Sequence, residues 1–150
     1  MGRSAGKEAQ VKVQLAKPEI TRKDRECVDV ALRSGRLSLG PWTERFEDAV
    51  AKSASARYAI ATCNGTAGLV AAIKCVNEEP FRTWYTSAYS FIASANAITL
   101  AEHDPVLVDI DLSTWMPRNK VDLSVDLFGM EAPPGFIQDS CEAIGTRLRA

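Results

Sequence analysis

A chain of 150 residues, 46% hydrophobic and 25% charged, falls in the soluble globular range and is long enough to bury one core. A formal net charge of −1 argues against a nucleic-acid or polyanion partner, and no apolar run approaches the roughly 20 residues of a membrane span. Cys27, Cys63, Cys75 and Cys141 form no CxxC pair and sit in apolar runs, so they read as reduced core residues of a cytoplasmic protein.

The first 12 residues are polar and small and read as a flexible tail. Thr21 followed by Asp24 marks a helix start, with Cys27, Val28, Ala31 and Leu32 on one apolar face. Gly35 ends that helix. RLSLGPW is a loop, and a second helix follows with Phe46, Ala49 and Val50 on its buried face. Tyr58–Cys63 is a mostly apolar run of strand length, broken by Asn64-Gly65-Thr66. Leu69, Ala72, Ile73 and Val76 then recur at helical spacing.

This strand–turn–helix leaves backbone N–H groups without intrahelical partners, and those groups with the helix dipole favour an anion. Gly65 permits close backbone approach and Thr66 adds a hydroxyl donor. An ordinary strand-to-helix turn with Thr66 as its cap is the alternative. Neither a Walker nor a dinucleotide-binding glycine pattern is present.

Further strands are predicted at Phe81–Thr86, at Pro105–Ile110 as a buried strand, at Val121–Leu127 with one wet face, and at Phe136–Asp139. Ser87–Ser90 is a turn and Phe91 to Leu100 a helix. His103 reads as a solvated loop residue. Strands alternating with helices predict a mostly parallel α/β sheet with flanking helices, whose ligands sit at the carboxyl ends of the strands. That rule brings the Asn64–Ala67 turn, the Tyr89-Ser90-Phe91 turn and Asp139 to one edge.

The stretch SGRLSLGPWTERFEDAVAKSASARYAIATCNGTAGLVAAI, together with SFIASANAITLAEHDPVLVDIDLST, VDLFG and QDSCEAIG, resembles the DegT-type sugar aminotransferases. The resemblance runs from about residue 18 to residue 145. It implies part of the large domain of a pyridoxal phosphate (PLP)-dependent transferase. Its expected reaction moves an amino group from a donor such as glutamate to a keto sugar carried on a nucleotide. By this resemblance Gly65, Thr66 and Ala67 hold the cofactor phosphate and Phe91 stacks on the pyridine ring. Asp139 pairs with the pyridine nitrogen, and Glu142 lies where the family usually has Gln or His near the phenolic oxygen. Asp126 occupies a place often taken by His, with no role assigned.

None of Lys7, Lys12, Lys17, Lys23, Lys52, Lys74 and Lys120 matches the family's cofactor-bonded lysine, which lies beyond the Asp139 motif. Residues 13–150 therefore read as a truncated, internally shortened large domain without the C-terminal small domain, inactive alone. Between VDLFG and FIQD stands only MEAPPG, too short for a crossover helix. A homo-oligomer is expected, with no metal. The alternatives are a non-catalytic binding or interaction module, and a lysine-free sugar dehydratase, against which the place of His103 counts.

Overall fold

The computed structural model describes residues 17–76 and 79–143, so the predicted tail at residues 1–12 lies outside the described residues. The chain divides into two compact units at Gly40. In the first, helix α1 spans Arg22–Arg33. The Thr21 hydroxyl accepts from the Asp24 N–H while the Asp24 carboxylate takes the Thr21 N–H at 2.7 Å, a reciprocal cap. These bonds hold the Asp24 carboxyl below its ordinary range. Gly35, at φ +68°, closes the helix by donating to the Leu32 carbonyl.

The second unit holds α2 (Pro41–Ser53), α3 (Gly65–Val76), β1 (Thr83–Ser87), α4 (Ala93–Leu100), β2 (Asp104–Val108), β3 (Leu123–Val125) and β4 (Ile137–Asp139). All strand pairs are parallel, in the order β2-β1-β3-β4. Alternation along β1 turns Trp84 and Thr86 inward and leaves Tyr85 44% exposed. Trp84 joins Leu69 and Ile73 of α3, Ala97 and Ile98 of α4, and Leu123 of β3 in one core. Helices α3 and α4 are thus fixed to the central strands, and their ends are placed by that packing.

Several expectations are corrected here. Tyr58–Cys63 forms no strand; it pairs with none of the four strands, and Tyr58 and Ile60 are exposed. A strand needs a ladder partner, and here the Ala61 N–H goes instead to the Glu47 carboxylate of α2 at 2.8 Å. No residue of α1 or α2 is buried, so the apolar faces carrying Val28, Leu32, Phe46 and Val50 are open. All four cysteines are free and exposed instead of buried in the core. The strand predicted at Pro105–Ile110 lies at the sheet edge, with Leu107 exposed and Val108 buried.

The wet face predicted for Val121–Leu127 is dry, because β3 lies between β1 and β4 and its polar residues bond across to them. The buried Ser124 hydroxyl donates to the Ile137 carbonyl, and the buried Thr86 hydroxyl donates to the Leu123 carbonyl. His103 is buried, 5.7 Å from the Trp84 ring in a stacked arrangement, with its Nδ1 accepting from the Arg82 N–H. The connection between β3 and β4 contains no crossover helix. Residues 126–136 join two parallel strands with a single 3-10 turn at Leu127–Gly129 and no α-helix.

Candidate functional site

A cleft of about 360 Å³ opens at the carboxyl ends of the strands. The start of α3 supplies Asn64, Gly65, Thr66 and Leu69 to its wall, and the turn after β1 supplies Ser90 and Phe91. Val125 and Leu127 come from the end of β3, and Asp139, Cys141 and Glu142 from the end of β4. A smaller recess bounded by Trp84, Asp122 and Phe136 lies at the amino ends of the strands. In an open parallel sheet the carboxyl ends gather the loops and helix N-termini, so the site belongs there.

Asn64 caps α3: its Oδ1 accepts from the Ala67 N–H at 2.9 Å, and its carbonyl accepts from Gly68 at 3.2 Å. Thr66 is therefore not the cap. Among the described residues no acceptor faces the Gly65 or Thr66 N–H, which leaves both donors and the positive end of the helix for an anion. A Cβ on Gly65 would stand 3.4 Å from the Cys141 sulfur, so the glycine lets α3 start close against the β4 end. Ala67 faces elsewhere, lining a neighbouring depression with Val70, Ala71 and Leu100.

Phe91 is 76% exposed, a flat apolar ring presented at the cleft. The Asp139 carboxylate accepts from the Cys141 N–H at 3.1 Å through Oδ1, an Asx-type turn. The Glu142 carboxylate is tied down by the Phe128 N–H at 3.2 Å. Phe128 itself holds φ +56°, and its ring lies 6.4 Å from Tyr89, which in turn lies 5.1 Å from Trp115. None of the described lysines lines the cleft, nor does His103.

Sequence reasoning placed Gly65, Thr66, Phe91, Asp139 and Glu142 at this edge, and the fold brings these five together. It missed Cys141, whose signal was its place two residues after Asp139. The Cys141 thiol is pushed up to about 11, first by donating its proton to the Asp139 carboxylate, then by burial, then by the Asp139 charge. At pH 8 a thiol near 11 is about 0.1% thiolate, against about a quarter for an ordinary one near 8.5. Cys141 is therefore expected to react with iodoacetamide roughly two orders of magnitude more slowly than an ordinary exposed thiol. Peptide mass spectrometry at pH 8 reads this directly. Alkylation of Cys141 as fast as the exposed Cys63 would contradict the contact with Asp139.

The fold and the cleft define an open parallel α/β domain with a cleft at its strand carboxyl ends. The chain belongs to the DegT/DnrJ/EryC1/StrS aminotransferase family, whose sequence profile matches residues 18–121. It is 26% identical over 152 residues to EpsN of Bacillus subtilis (strain 168), a candidate pyridoxal phosphate-dependent aminotransferase, covering 89% of this chain and 39% of EpsN. It is 29% identical over 154 residues to the pleiotropic regulatory protein of Geobacillus stearothermophilus, covering 87% of this chain and 40% of that protein. The solved PLP form of the candidate sugar aminotransferase Spr1654 from Streptococcus pneumoniae superposes with a TM-score of 0.73 at 24% identity, over 81% of this chain and 34% of that one. The chain thus spans about two-fifths of the length of the first of these relatives.

Proposed function

We propose that this chain forms the cofactor-binding part of a PLP-dependent aminotransferase acting on nucleotide-linked keto sugars. The observation that carries the reading is the meeting, in one cleft, of the free N–H groups of α3 with Phe91 and Asp139. The residues fit the group: a helix N-terminus and the Thr66 hydroxyl suit a phosphate, and the exposed Phe91 ring suits the face of a pyridine. The half-buried Asp139 carboxylate suits a protonated ring nitrogen.

Gly65 and Thr66 bind the phosphate, and Phe91 orients the ring while excluding water from one face. Asp139 keeps the proton on the ring nitrogen. When bound, the cofactor supplies an electron sink for the substrate. Glu142, held by the Phe128 N–H, would present its carboxylate to the bound cofactor, and Ala67 would act through its place in the first turn of α3. The nucleotide-sugar substrate is supported by relatives such as the UDP-4-amino-4-deoxy-L-arabinose–oxoglutarate aminotransferase of Shewanella sediminis, 28% identical over 68% of this chain. The exposed apolar residues Leu39, Ile60 and Phe46 support assembly into a homo-oligomer. No helix among the described residues is long and apolar enough to cross a membrane.

A non-catalytic module is the second reading, favoured by the want of a lysine in the cleft among the described residues and by the name of the Geobacillus relative. Titrating the chain with PLP and with pyridoxal tests the first reading. PLP is expected to bind at least about tenfold more tightly than pyridoxal, because only PLP engages the α3 N–H groups. Its absorbance should stay that of the free aldehyde, with no borohydride-stable adduct at one specific lysine. Equal affinities for the two compounds, or binding of neither, would overturn the proposed site.

A further inference from the structure

We propose that Asp126 is a positioning residue which fixes the Asp139 carboxylate in the cleft, in place of the packing a crossover helix would supply. The inference rests on the cofactor-site reading for its functional meaning, while its structural content concerns Asp139 alone. Only three residues of β3 pair with β4, the last pair being Val125 with Asp139. So short a ladder leaves the end of β4 free to twist unless other bonds hold it.

Asp126 supplies them. It is 3% exposed, and its backbone N–H donates to the Asp139 carbonyl at 2.8 Å. One carboxylate oxygen accepts from the Ala132 N–H at 2.8 Å and from Gln138 Nε2 at 2.9 Å. The other accepts from Gln138 Nε2 at 2.9 Å and from the Ser140 hydroxyl at 2.6 Å. The residues on both sides of Asp139 and its own main chain are therefore held by one side chain and its backbone. The bond to Ala132 gathers the short connection into the same knot.

A carboxylate buried this deeply is tolerable only when its oxygens are filled, and here neutral donors fill them. None of the ion pairs among the described residues involves it. A neutral residue could stabilise the strand ends as well, but only an acceptor on both oxygens can hold the Ala132, Gln138 and Ser140 donors at once. The Asp139 carboxylate spends one oxygen on its own Cys141 turn, while Asp126 fixes the main chain from which that carboxylate projects.

The test uses Asp126→Asn and Ser140→Ala, the second removing one bond of the knot and serving if the first fails to fold. Both variants are crossed with Asp139→Asn, and melting temperature, PLP affinity and the Cys141 alkylation rate are measured. Each single variant is expected to weaken PLP about tenfold and to speed Cys141 alkylation several-fold, because Asp139 leaves the thiol. With Asn already at 139, adding either change should shift affinity by less than about twofold, the signature of action through Asp139. Variants with lowered melting temperatures but unchanged affinity and unchanged Cys141 rate would reduce Asp126 to a structural bond and overturn the inference. If Asp139→Asn itself leaves PLP affinity unchanged, the cofactor reading fails. The Cys141 rate in the cofactor-free chain then still decides whether Asp126 positions Asp139.

Discussion

Gly135→Ala is expected to lower the melting temperature of the chain by about 4–12 °C, from a loss of about 2–3 kcal/mol. A Cβ at this position would stand 2.5 Å from the Asp122 carbonyl oxygen, 2.9 Å from its carbon and 3.0 Å from the Val121 oxygen, all of them backbone atoms. Backbone cannot swing aside as a flexible side chain can. The Asp122 carbonyl also accepts from the Phe136 N–H at 2.8 Å and the Ile137 N–H at 3.1 Å, so the clash falls where β4 begins. Asp122 is tied equally to β1, through its N–H to the Tyr85 carbonyl and its carboxylate to the Tyr85 N–H, both at 2.8 Å. Moving this carbonyl strains three strands together. Gly40→Ala is the control, since its Cβ would meet only Arg36 Cδ at 3.9 Å and should change stability by less than about 0.5 kcal/mol. Thermal unfolding of both variants decides the matter. Equal melting temperatures would show that the short connection does not press on β3.

Local signals were legible wherever the causes were local. The Thr21–Asp24 cap, the Gly35 stop and the helical spacing of Leu69 and Ile73 each name an element within a few residues of itself. The site edge was legible for a related reason, because a parallel sheet sends its turns to one end whatever the tertiary detail. What escaped depends on distant partners. Tyr58–Cys63 has strand composition, yet composition cannot supply the neighbouring strand that a ladder needs. The Asp122, Ser124 and Asp126 positions alternate with apolar residues as a solvated face does, and only the closure of β4 over Asp126 and Ser124 makes that face dry. His103 is polar in sequence but finds a ring to stack on and an N–H to accept, which no short-range pattern announces. The role of Asp126 was illegible on the same grounds, since its three donors lie six to fourteen residues downstream.

Replacing Asp139 with asparagine is expected to weaken PLP binding by one to two powers of ten while leaving fold stability nearly unchanged. The two halves of this expectation have separate causes. Asparagine keeps an oxygen where Asp139 accepts from the Cys141 N–H at 3.1 Å, so the turn at the end of β4 survives. The main-chain bond from Asp126 to the Asp139 carbonyl is untouched by the change. Asp139 is half-buried and engages no described cation, so no charged partner is stranded in the interior. What disappears is the negative charge that a protonated ring nitrogen would meet. A hydrogen bond to a charged group contributes about 1.5–3 kcal/mol, which converts to the stated loss of affinity. The same substitution removes the charge beside Cys141, so its thiol should fall from about 11 and alkylate faster at pH 8. Faster alkylation with unchanged PLP affinity would place Asp139 beside the thiol but outside the cofactor site. A lowered melting temperature with unchanged affinity would make Asp139 a turn residue and nothing more. Loss of affinity at a constant melting temperature is the result expected of the proposed cofactor site.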